Sequence, residues 1–234
     1  MNKTLRILLA LCLATAINAV GQSHHYHLPL ADFNELVVLD AINVEYRCDP
    51  ARAGLIEFES DWDCVSSVVF ENNKGKLTVQ LAERNEKTPG LPTVLIYSSY
   101  LTKVTNEGDS LLRVVTIAPQ GKLTARLVGN GRLQIDDIEV TALDAAIVSG
   151  NGTMTLVGKA PNARLAITGT GHIEAAGLNT SDANCSITGT GAITVDVADK
   201  LTASGLGSGN IYYIGSPKIN KKFLATVKVN PYQP

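Results

Sequence analysis

The chain has 234 residues, with 20 Lys and Arg against 22 Asp and Glu, 45% hydrophobic and only 5% aromatic residues. A near-neutral, slightly acidic balance does nothing to draw the chain to nucleic acid, which would want a basic surface. Few aromatics, 20 glycines and abundant Thr, Val and Ile favour strands and tight turns over a helical bundle.

The first element is an export signal. Lys3 and Arg6 precede the apolar run Ile7–Ala14, and small and polar residues follow to Gln22. That order, charged then apolar then small, is the order of a cleavable secretory segment, assigned here to residues 1–21. The apolar run is too short to span a bilayer, and no later stretch is long enough. Residues 22–234 then form one domain, exported to the periplasm, the cell surface or the medium. His24, His25 and His27 follow the cut and are read as a solvated tail, without a bound metal. No cofactor is expected. Export permits disulfides, and Cys48 and Cys64 are the natural pair, with two unpaired small hydrophobes as the alternative reading; Cys185 is then an odd thiol.

From residue 36 the pattern alternates. Ile42, Val44 and Tyr46 share one strand face, as do Ile56 and Phe58, and Leu77, Val79 and Leu81. Asn72-Asn73-Lys74-Gly75 reads as a turn, and residues 83–92, with Pro89 and Pro92, as a polar connection. These strands form a less regular N-terminal part over 28–118. Asp61 and Asp63 flank Trp62, a combination suited to stacking on a sugar, although a structural Trp beside Cys64 is the plainer reading.

The second half repeats. A Gly-x-Gly unit recurs at Gly129, Gly150, Gly169, Gly189 and Gly207, at spacings of 21, 19, 20 and 18 residues. Four residues past the first glycine stand Leu133, Met154, Ile173, Ile193 and Ile211, and six past it Ile135, Leu156, Ala175, Val195 and Tyr213. Two before it stand Leu127, Val148, Ile167, Ile187 and Gly205, and four before it Ala125, Ala146, Leu165, Cys185 and Ala203. A period near twenty leaves room for brief strands and tight corners, so the units stack as a β-solenoid with these columns pointing inward. Each buried Ile or Leu contributes roughly 1.5–3 kcal/mol. Regular rungs are expected over 119–216 and a capping segment over 217–234.

Ile-Thr-Gly-Thr-Gly-x-Ile at 167–173 and 187–193 resembles the head GIN domain family, described as auto-transporter adhesins. The motif Ile211-Tyr212-Tyr213-Ile214-Gly215-Ser216-Pro217 and the opening Phe33–Val44 do the same. The resemblance implies a right-handed parallel β-helix and an adhesive role at the cell surface. It supplies no catalytic residues.

Against the bland readings, few sites stand out. A strand follows each Gly-x-Gly, where a phosphate loop needs a helix, so these are corners. His172 and Glu174 project from one strand face, but the adjoining rungs offer only Thr, Ala and Asn, with no partner acid or base. Thr168, Thr170, Thr188 and Thr190 stack one rung apart. The expectation is therefore a non-catalytic, adhesin-like binding module for glycan or another envelope component, its candidate contacts Trp62, the four threonines, His172 and Glu174. A polysaccharide-active solenoid enzyme is the alternative, and a purely structural envelope protein the third reading.

Overall fold

The computed structural model describes residues 24–60, 67–82, 91–224 and 226–233. The export signal, Trp62 and Cys64 lie outside the described residues. Those described contain no α-helix, only strands and one short 3-10 turn at Pro50–Arg52. The fold is a parallel β-solenoid of about six turns at a spacing near twenty residues.

The regular part runs through β10 (Gln120–Val128), β11 (Arg132–Ser149), β12 (Thr153–Lys159), β13 (Asn162–Gly169), β14 (His172–Gly189), β15 (Ala192–Gly207), β16 (Asn210–Ile214), β17 (Lys218–Leu224) and β18 (Lys228–Pro231). Two parallel ladders result. The segments before each Gly-x-Gly corner pair upward, as in Leu123↔Leu143, Leu143↔Ala163, Ala163↔Ala183 and Ala183↔Leu201. The segments after it pair likewise, as in Leu133↔Met154, Met154↔Ile173, Ile173↔Ile193 and Ile193↔Ile211. We call these the upstream and downstream ladders. Like positions stack because all strands run the same way, so one inward Ile meets the next directly. Leu133, Met154, Ile173, Ile193 and Ile211 are all fully buried.

One repeat departs from the sequence alignment. Val148 and Ala146 do not face inward. Leu127 pairs with Ile147, then Val128 pairs with Ser149, so a bulge absorbs the extra residue of the 21-residue unit. Ile147 and Ala145 enter the core, and Val148 is 46% exposed.

The N-terminal part supplies further tiers of the same two ladders, in an order that is not chain order. Its strands are β1 (His24–Pro29), β2 (Glu35–Val38), β3 (Val44–Cys48), β4 (Leu55–Ser60), β5 (Val68–Asn73), β6 (Lys76–Leu81), β7 (Val94–Ser98), β8 (Lys103–Asn106) and β9 (Leu111–Thr116). In the upstream ladder β2 lies between β6 and β8, and β8 joins β10. In the downstream ladder β3 lies between β7 and β9, and β9 joins β11. The tier built from residues 35–48 is therefore enclosed by two tiers made later in the chain. Antiparallel strands close this end: β5 on β6, β4 on β7 and β1 on β4. The β5–β6 hairpin turns at Lys74 and Gly75, both at positive φ, which matches the twist of its strands.

The three histidines are thus not a free tail. They belong to β1, where His25 Nε2 lies 2.6 Å from Glu59 and His27 Nδ1 lies 3.0 Å from Glu57. Below them Tyr26 stacks on Phe58. Burial of that apolar side against β4 is what holds the segment down.

Three polar side chains enter the core with their bonding satisfied. Asn106 continues the inward column of Leu127 and is 1% exposed. Its Nδ2 donates to the carbonyls of Ser110 (3.0 Å) and Arg132 (2.9 Å), and its Oδ1 accepts from Gly108 N–H. Tyr46 Oη and Ser98 Oγ are 2.7 Å apart, and Ser98 Oγ also donates to Tyr100 O. A buried polar group costs free energy unless it is paired, and all three are.

Candidate binding surface

The corner decides which side chains reach solvent. Gly169 and Gly189 have φ of 126° and 128°, and a Cβ on Gly189 would stand 2.2 Å from Gly169 O. Backbone therefore packs on backbone where successive corners meet, and only glycine permits it. The residue between the glycines points out. Thr170 N–H donates to Gly150 O and Thr190 N–H to Gly169 O, each at 3.0 Å. The middle positions form a side-chain ladder in which Asp109 accepts from Asn130 N–H, Asn130 from Asn151 N–H, and Asn151 from the Thr170 hydroxyl.

Thr168 pairs in register with Thr188, and Leu206 succeeds them. These positions and Thr170 and Thr190 are exposed at the corner. Just past it, Thr153, His172, Ala192 and Asn210 form one outward column, and Thr155, Glu174, Thr194 and Tyr212 the next, in which Thr194 itself is buried. The last tier adds Asn230 beside Tyr212.

Across these columns lies an open hollow of about 850 Å³, lined among others by His172, Glu174, Thr190, Asn210, Tyr212 and Tyr232. It brings three of the sequence candidates together: His172, Glu174 and Thr190. Thr168, Thr170 and Thr188 stay on the corner beside it. The hollow also gathers Tyr232 and Asn230, which periodicity did not mark because they follow the last glycine corner. Their only signal was the aromatic and amide content of the final residues.

His172 and Glu174 are both exposed, and each has only Thr or Ala directly beside it in the ladder. No neighbouring acid or base in register is set to complete a proton-transfer pair with them. What the hollow presents is two phenol rings, amides, hydroxyls, one imidazole and one carboxylate. That set suits a polyhydroxylated ligand: donors and acceptors for hydroxyls, and an aromatic face for the apolar side of a ring.

Elsewhere the surface is held by ion pairs. Arg113 bonds Asp136 at 2.7 Å, with Glu45 at 3.8 Å, and Arg126 lies 3.1 Å from Asp144. Arg52 hydrogen-bonds Glu57 and stands 3.7 Å over the Tyr97 ring. Burial would raise the Glu57 carboxyl, but the Arg52 hydrogen bond and charge hold it below the ordinary carboxylate range. Cys48 carries a free thiol whose Sγ–H donates to Ser99 O at 3.3 Å. Cys185 lies in the core, and burial pushes its thiol up to about 12. No group of three His, Cys, Asp or Glu among the described residues is placed to hold a metal ion.

A family model described as "Putative auto-transporter adhesin, head GIN domain" matches residues 32–217. The chain belongs to that family. This head GIN domain is also similar in structure to three solved proteins, each described as a putative adhesin. The one from Parabacteroides merdae ATCC 43184 is 23% identical, with a TM-score of 0.71, over 93% of this chain and 99% of that one. The one from Bacteroides fragilis NCTC 9343 is 21% identical, with a TM-score of 0.74, over 93% and 100%. That from Parabacteroides distasonis ATCC 8503 is 22% identical, with a TM-score of 0.67, over 91% and 98%. At these identities the likeness shows the shared fold. Among curated proteins none matches. No helix among the described residues is long and apolar enough to cross a membrane.

Proposed function

We propose that this head GIN domain is an exported, non-catalytic, adhesin-like module that recognises glycan of the cell envelope or a neighbouring surface. The observation that carries the reading is the hollow on the downstream ladder, where Tyr212 and Tyr232 stand with Asn210, Thr190, His172 and Glu174 around one open cavity. The scaffold beneath is rigid. Its strands hold these side chains at fixed spacing, about 4.8 Å from tier to tier, so a ligand with regularly spaced hydroxyls meets a surface that needs no rearrangement. The family's adhesin description supports the same reading.

The test is a glycan array probed with residues 22–234, read for retained ligand and for cleavage products. Saturable binding without turnover is expected. Tyr212→Ala should weaken it about tenfold or more, the loss of one aromatic anchor, while leaving the melting temperature within a few degrees. Chain cleavage abolished by His172→Ala or Glu174→Ala would instead establish the enzymatic alternative. Binding that persists unchanged in Tyr212→Ala and Tyr232→Ala moves the ligand off this hollow.

A further inference from the structure

The two ends of the stack differ. Antiparallel strands cover the N-terminal end, whereas among the described residues no strand pairs with the outer edges of β17 and β18. This open end is basic. Residues 218–233 include Lys218, Lys221, Lys222 and Lys228 and no Asp or Glu, and Lys200 lies in register with Lys218. The acids nearest in sequence, Asp196 and Asp199, belong to the preceding tier, and Asp182, in register with Lys200, to the one before that. The inward column Leu165–Cys185–Ala203 ends at Lys221, which is exposed.

The ladder then slips. Lys222 pairs with Ser204 but Leu224 with Gly205, leaving Phe223 outside the pairing at φ 46° and 91% exposed. Leu206, at the same end of the preceding tier, is 63% exposed. Lysines and a bulge are the usual protection of a bare strand edge against further pairing. They do not account for a phenylalanine in a conformation that glycine adopts without strain and phenylalanine does not.

An apolar side chain thrust into solvent next to two lysines has the chemistry of shallow membrane docking, with the ring below the headgroups and the amines at the phosphates. We propose that the C-terminal tip docks on an anionic lipid surface, through Phe223 and Leu206 and the lysines at 218, 221 and 222. The lysine stems can lie along the surface while their charges stay at the headgroup level. This docking is independent of whether the hollow binds glycan.

The test is co-sedimentation of residues 22–234 with vesicles of phosphatidylcholine alone and with about one third phosphatidylglycerol. Binding to the anionic vesicles only, weakened by salt, is expected. Lys221→Glu with Lys222→Glu should lower the partition coefficient about tenfold or more. Phe223→Gly should also lower it while holding or raising thermal stability, because glycine suits the backbone there. That opposite movement separates docking from a merely structural role. Lys122→Glu, far from the tip, should leave binding unchanged. Equal binding to neutral vesicles, no binding to either, or indifference to both tip variants overturns the proposal.

Discussion

At the scale of single residues the corner glycines set the strongest constraint. Gly189→Ala places a Cβ against Gly169 O at a φ that alanine resists, so a loss of about 2 kcal/mol or more is expected in chemical denaturation. Gly121, with nothing within 4 Å of its Cβ position, is the control and should tolerate alanine within about 0.5 kcal/mol. Cys185 gives a second check. Its thiol, fully buried and pushed up to about 12, should resist alkylation in native protein at neutral pH and react only on unfolding. For Cys48 we propose pairing with Cys64 on oxidation, tested by intact mass before and after reduction. Residues of this kind were unequally legible in the sequence. Glycine announces itself, because nothing else fits a stacked corner. Asn106 did not, since an asparagine in an apolar column reads as a break until its three partners are seen.

Among the elements, β4 at the covered end carries a pH-linked ion pair. Glu57 on β4 is held below its ordinary range by Arg52. A carboxylate depressed in the folded state stabilises the fold above its unfolded pKa, and that contribution fades as pH falls through the folded value. Arg52→Met should therefore lower stability near neutral pH and flatten its acid-side decline, read as denaturation midpoint against pH. The period of two showed most strands of the first half, and the period near twenty showed the solenoid. The 21-residue spacing showed one extra residue but could not place the bulge at Val148, because that residue gives the same spacing wherever it sits between the two corners. Nor could local pattern recognise β1: three histidines look solvated until Tyr26 is seen stacked on Phe58. The hollow was half legible for a related reason. Repeats exposed His172 and Glu174 in outward columns, but Tyr232 follows the last corner and belongs to no column.

For the whole molecule, stability is distributed from neighbour to neighbour along the stack. Removing residues 217–234 should strip β17 and β18 and bare the second half of β15 and β16, whose edges carry fewer lysines. A lower melting temperature and concentration-dependent aggregation by light scattering are expected. The placing of β2 and β3 between tiers that come later has a different consequence, in time rather than in space. A chain synthesised from its N-terminus delivers residues 35–48 early, yet their two flanking neighbours arrive only with residues 76–98 and 103–116. Zipping cannot begin at the leading end. The segment stays without its flanking strands until both have been delivered, so early proteolytic cuts in a folding chain are expected to fall here. The regular turns behind it can each dock as they emerge.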